Sequence, residues 1–203
     1  MNKFTTLLAL LVPAAFATAE SVPANEILSL VPASEIVSGD FEQNKELLDL
    51  ELELKSSGTF VFSKQQGALW QTLVPTKSTI FIGDDALIFF DKNDRATQKI
   101  TINSSAIAQE ITQIIKDAML GNIAALEKIF TLNAEKNGEN WQVKLTPKQS
   151  ALPFSEITIC GNVQAIESVH FINDTRDEAT KIKLKNVQNN VPAALEKFKK
   201  FEQ

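Results

Sequence analysis

Few side chains in this 203-residue sequence are equipped for covalent chemistry, and those few stand apart. His170 is the sole histidine. As a general base or metal ligand it would need a partner, yet there is one cysteine and no carboxylate pair at ligand spacing. The pattern therefore expects an imidazole facing solvent or sitting on an edge strand. Cys160 follows an apolar run and precedes Gly161, with no neighbouring cation to lower a thiol pKa, so it reads as a small buried hydrophobe. Asp49, Glu51 and Glu53 could be a calcium or sugar site, but Lys55 continues the same row, which fits the wet face of a half-buried sheet. The seven glycines are too scattered to cradle a phosphate, and no nucleophile elbow is present. The expectation is a protein that is not an enzyme and that holds neither a metal nor a cofactor.

The elements around these residues are more informative. Leu48, Leu50, Leu52 and Leu54 alternate with Asp49, Glu51, Glu53 and Lys55. Strand side chains repeat every two residues, so this pattern predicts one strand with a leucine face. Ser57-Gly58 reads as a turn, Phe60 and Phe62 continue the apolar face beyond it, and Trp70 closes a third strand. An antiparallel meander with one continuous apolar face is suited to wrap something apolar. These seven positions, together with Phe89, are the expected cavity wall.

Residues 1–19 are laid out as a signal peptide: Lys3, an apolar run from Leu7 to Phe16, and Ala17-Thr18-Ala19 before Glu20. No cysteine follows the cut, so no lipid anchor is expected. Residues 20–203, about 184 positions, suffice for a single domain with a sizeable core. The formal charge of −5 argues against nucleic acid and anionic headgroups, and one cysteine precludes an intrachain disulfide. Thirteen phenylalanines and two tryptophans without a tyrosine imply aromatic surfaces with little hydrogen-bonding capacity.

Along the chain, the pattern predicts a helix within 20–36 started by Pro23, then seven strands between 37 and 103. A helix follows over 105–120 with Ile107, Ile111, Ile114 and Ile115 on one side, then a shorter one over 124–130. Five strands come next, between 131 and 187, and a terminal helix spans 192–201. That order makes an α+β domain, a large antiparallel sheet with a few helices on one face. The isoleucines of 105–120 suit either a core or the wall of a ligand cavity, and the pattern allows both.

The ordered set Phe41-Glu42-Gln43, Gly58-Thr59-Phe60, Trp70 with Pro75, Gly83 to Leu87 with Phe89 and Phe90, and Trp141 through Leu145-Thr146-Pro147-Lys148 resembles the LolA family of periplasmic lipoprotein carriers. The resemblance spans 20–203. It implies an incomplete antiparallel β-barrel (half-barrel) closed by a helical lid over an apolar cavity that also draws in Phe89. It implies a monomer in the Gram-negative periplasm that shields the acyl chains of a lipoprotein or other lipid. Such a carrier takes cargo from an inner-membrane exporter and passes it to an outer-membrane receptor. The 105–120 helix, with its four isoleucines, would be the lid. Family members carry a Lys-Arg-Pro whose arginine latches that lid; here the matching stretch is Lys64-Gln65-Gln66, leaving Gln65 as a neutral, weaker latch. This departure points to a divergent branch and opens the cargo to other lipids. A periplasmic lipid or lipoprotein sensor on the same half-barrel is the alternative, though such sensors usually carry an additional domain.

Overall fold

The computed structural model describes residues 20–28, 34–101, 123–149 and 152–201. The expected leader (1–19) and the expected lid helix with Ile107, Ile111, Ile114 and Ile115 lie outside the described residues.

Among the described residues, twelve antiparallel strands form one sheet. They are β1 (Glu20–Val22), β2 (Ile36–Leu47), β3 (Leu52–Ser63), β4 (Gly67–Val74), β5 (Ser78–Ile82), β6 (Ala86–Phe90), β7 (Ala96–Thr101), β8 (Phe130–Asn137), β9 (Asn140–Pro147), β10 (Phe154–Asn162), β11 (Ile166–Asn173) and β12 (Glu178–Asn189). Among the described residues two short α-helices accompany them, α1 (Ala24–Leu28) and α2 (Ile123–Ile129), with 3-10 segments at Leu48–Leu50 and Pro192–Lys200. The spatial order is β1-β8-β9-β10-β11-β12-β2-β3-β4-β5-β6-β7. Neighbouring strands in the sheet are consecutive in the chain except at two joins, where β12 returns to β2 and β1 lies against β8. The ends, β1 and β7, do not pair with each other, so the sheet stays open. This is the α+β incomplete barrel the sequence suggested.

Cross-strand register shows which side chains share a face, because directly opposed residues point the same way. One row runs Val22, Ala134, Val143, Ile159, Val169 and Ile182 across six strands. Another runs Phe60, Trp70, Ile80 and Phe89 across the other half. Leu184 stands opposite Phe41 and joins the two sets on one face. At one end α1 and α2 cover this inner face, with Ile27, Leu126 and Phe130 packed on Trp141, Val143 and Leu145. The outer face of β3–β6 is closed separately by the C-terminal 3-10 segment, whose Phe198 and Phe201 pack on Val61, Leu69, Ile88 and Phe90.

Two expectations are corrected. Leu48 to Lys55 is not one strand: Leu47 pairs Leu52, and between them Leu48–Leu50 forms a 3-10 turn with Glu51 left-handed at φ 50°. Four intervening residues are enough to reverse the chain, so local turn geometry overrides the alternation. Ser57-Gly58 is no turn but the middle of β3, carrying a bulge against β4. The helix expected from Pro23 forms over Ala24–Leu28, preceded by the strand Glu20–Val22.

Candidate functional site

The inner face is aromatic where β2, β3 and β4 meet. Phe41 stacks on Trp70 with ring centroids 3.9 Å apart, and Phe60 lies 6.0 Å from Trp70 and 5.6 Å from Phe62. Gly58 makes this stack possible. It stands directly across from Phe41, and a Cβ there would sit 2.9 Å from the Phe41 ring and 1.9 Å from the Gln71 carbonyl oxygen. The glycine thus opens room for the ring to lie flat across the strand. Gly161 plays the same part beneath Trp141, whose ring would lie 2.5 Å from an added Cβ. The Trp141 indole N–H donates to the Asn162 carbonyl at 2.9 Å, so its one polar group is satisfied within an apolar wall.

The expected cavity residues divide. Phe60 and Phe62 are buried on the inner face, and Trp70 and Phe89 stand half-buried in the same row. Leu48, Leu50, Leu52 and Leu54 are exposed at the tip of the β2–β3 hairpin, Leu50 by 71%. Leu52 and Leu54 share the inner face by register, but their rows contain Leu47 and Glu178, and Lys45 and Thr180. β4 ends at Val74, opposite Ser57, so the sheet narrows to one side before reaching these leucines. The apolar surface legible as one stripe is therefore two, a buried aromatic field and an exposed leucine tip.

Residues not singled out from the sequence complete the field, Ile80 and Ile82 from β5 and Ile182 and Leu184 from β12, together with Leu87 of β6, noted only for its motif. The signal for them was present in the alternation of β5 and β12, but only the β12–β2 join, remote in sequence, brings the two halves together. Phe41 was noted for its motif rather than for its ring. The motif Trp141 to Lys148 likewise acquires a mechanical meaning. Its Trp and Leu145 are inward and buried, while the Lys148 ammonium donates to the Glu127 carbonyl at 2.6 Å and its backbone N–H to the Ile129 carbonyl at 2.9 Å. Both donors serve carbonyls of α2, fixing that helix to the wall.

Gln65 lies exposed in the β3–β4 turn, its backbone N–H donating to Ser63 Oγ at 3.3 Å. The residues it was expected to latch are outside those described. Cys160 is half-buried rather than fully buried, on the outer face of β10 between Gln142 and Ser168. His170 is half-buried in the interior strand β11 opposite Thr158 and Lys181, not on an edge. Asp49 and Glu51 belong to the hairpin turn, and Glu53 pairs with Lys55 at 3.0 Å. Among the described residues no group of three His, Cys, Asp or Glu side chains is placed to hold a metal ion.

On the outer face, Asp94 receives the Lys77 ammonium at 2.6 Å and that of Lys200 at 2.5 Å. The Lys200 hydrogen bond, then that of Lys77, holds the Asp94 carboxyl below the usual carboxylate range. The two bonds tie the β6–β7 turn to the C-terminal 3-10 segment through Lys200 and to the β4–β5 loop through Lys77.

Comparison with known proteins adds the following. Residues 33–201 match the family described as outer membrane lipoprotein carrier protein LolA. Outer-membrane lipoprotein carrier proteins of Cupriavidus taiwanensis and Cupriavidus necator are each 25% identical over 199 residues, covering 90% of this chain and 85% of theirs. Among solved structures, a LolA superfamily protein from Nitrosomonas europaea aligns at 10% identity and a TM-score of 0.46, over 86% of this chain and 97% of that one. An outer membrane lipoprotein-sorting protein domain from Vibrio parahaemolyticus aligns at 9% identity and a TM-score of 0.42, over 83% and 91%.

Proposed function

The chain belongs to the LolA family of outer membrane lipoprotein carriers, and from that premise we propose that it is a periplasmic carrier whose inner face shields acyl chains during transfer from inner to outer membrane. One observation carries the reading. An unclosed sheet presents a single apolar face that runs from β1 to β6, with a cluster of stacked rings where its two halves join. A sheet of this kind can admit a flexible chain between its open edges, which a closed barrel filled by its own side chains cannot.

The energetics set the rest of the mechanism. Burying each methylene is worth about 0.8 kcal/mol, so a fifteen-carbon chain gains on the order of 12 kcal/mol before costs. Affinity of that size opposes delivery unless emptying the face restores another contact. The segment 105–120, which carries Ile107, Ile111, Ile114 and Ile115, is the proposed lid that packs on the face when cargo leaves. Gln65 is its proposed weak latch. Phe60, Phe62, Trp70 and Phe89 are the proposed acyl contacts, with Phe41 added and the four tip leucines withdrawn. The donor would be an inner-membrane exporter and the acceptor an outer-membrane receptor. Cargo is a lipoprotein or another acylated lipid.

Mass spectrometry of lipid extracted from the protein purified from a periplasmic fraction tests this reading. A stoichiometric acylated species supports it. Protein that is free of lipid and that also takes up no lipoprotein from inner-membrane vesicles refutes it.

A further inference from the structure

Beside the C-terminal 3-10 segment, on the outer face and away from the aromatic field, lies a cavity of about 290 Å³. Cross-strand register sets its floor. Val61 stands opposite Leu69, and two residues along Thr59, Gln71 and Thr79 stand opposite one another. Phe201 closes the apolar side, and Lys77, Lys197, Lys200 and Glu196 line the rest. The Gln71 amide donates to Thr79 Oγ1 at 3.1 Å, which leaves the hydroxyl proton of that buried threonine free to be donated.

Charge on this lining is unbalanced. Lys77 and Lys200 share one carboxylate oxygen of Asp94, at 2.6 and 2.5 Å, so their ammoniums stand side by side and each spends one of its three donors there. Glu196 is neutralised by Lys199 at 2.7 Å. Among the described residues Lys197 meets only the Thr59 hydroxyl, at 3.5 Å. Asp40, opposite Thr59 on β2, accepts the Asn186 amide at 2.6 Å instead. Three ammoniums thus have one carboxylate between them, and the Thr59 and Thr79 hydroxyls add further donors. Such a lining is matched by a ligand that is all acceptor and carries about two negative charges.

We propose that this cavity is a binding site for a phosphate monoester, its oxygens held by Lys77, Lys197 and Lys200 with the Thr59 and Thr79 hydroxyls, and its ester carbons resting on Val61, Leu69 and Phe201. A carboxylate brings one charge and two oxygens, too few for three ammoniums. The volume admits the polar end of such a molecule, of the size of glycerol phosphate, and leaves no room for acyl chains. The overall charge of −5 gives an anion no long-range attraction, so the site acts at contact range. A bound ester bridges the terminal segment to β3 and β5 and stabilises that closure. The site is independent of what the inner face carries.

Isothermal titration calorimetry of the purified protein in about 0.15 M salt, with glycerol phosphate, inorganic phosphate and acetate as probes, tests the proposal. Glycerol phosphate is expected to bind at a single site with Kd on the order of 0.1 mM. Inorganic phosphate, which lacks the carbons, should bind roughly threefold more weakly, and acetate not measurably. Lys197 is exposed and takes no part in the Asp94 bonds, so Lys197→Gln keeps the fold, as circular dichroism can check, and should weaken binding about tenfold. Lys128→Gln makes the same change of charge on exposed α2, remote from the cavity, and should leave binding unchanged. Flotation with phosphatidylcholine vesicles containing about one-fifth phosphatidic acid separates the two sources of the ester. Flotation that needs Lys197 assigns the phosphate to a lipid headgroup, and glycerol phosphate binding without flotation assigns it to a soluble ester. Absence of saturable binding in both assays overturns the proposal. So does acetate that binds as tightly as the phosphate ester, or equal weakening by Lys197→Gln and Lys128→Gln, which would reduce the site to diffuse charge.

Discussion

Gly58 and Asp94 show how single residues shape the two faces of the sheet. At Gly58 the missing side chain lets Phe41 lie against Trp70, and the nearest obstacle to a methyl group is the Gln71 backbone, which cannot swing away. Gly58→Ala is expected to cost about 2 kcal/mol or more, read as a lower urea midpoint, through overpacking of a strand interior. At Asp94 the folded carboxyl is held low by Lys200 and Lys77, so its contribution has a definite sign. A depressed pKa gives stability that is fully present above about pH 4, where the unfolded carboxylate is ionised, and is lost as pH falls through the lower folded value. Asp94→Asn should lower the unfolding free energy at pH 7 by about 1 kcal/mol and flatten the loss of stability as pH falls below about 4. A variant with the wild-type acid profile would mean that the two ammonium bonds contribute nothing. The sequence hinted at neither residue's role. A glycine's value depends on which ring crosses it, and Asp94 meets Lys200 across 106 positions of chain.

Among the elements, the terminal segment and the β2–β3 hairpin were the most and least legible. Pro192 with Leu195, Phe198 and Phe201 announced a closing helix, and it forms as a 3-10 segment packed on the outer face, with Phe198 fully buried. Phe198→Ala should therefore destabilise by about 3 kcal/mol, as deep aromatic truncations do, measurable by thermal or denaturant unfolding. The hairpin misled because its alternation is genuine and its burial is not. Period-two patterning says which residues share a face, but only the length of the neighbouring strand says whether that face is covered. β4 ends before it reaches Leu52 and Leu54, and the turn carries Leu48 and Leu50 off the sheet. Leu50→Asp should accordingly change stability by less than about 0.5 kcal/mol and leave uptake of a fluorescent fatty acyl probe unaltered. A loss of uptake in a folded Leu50→Asp protein would return the tip to the cargo site.

For the whole molecule, β1 was missed and the seven strands expected between 37 and 103 are six, but most strands were readable from alternation and turn residues. The join of β12 to β2 was not, and that join makes one inner face out of two meanders. The central claim is that this face receives acyl chains at the Phe41, Phe60 and Trp70 cluster. It can be measured at Trp70 itself, because the chain has only one other tryptophan and no tyrosine. In a Trp141→Phe background, titration with a fatty acid bearing a nitroxide on its chain should quench Trp70 fluorescence in a saturable way, and unlabelled fatty acid should reverse it. Binding of the labelled chain without quenching of Trp70, or the absence of saturable binding by the folded protein, would contradict the account.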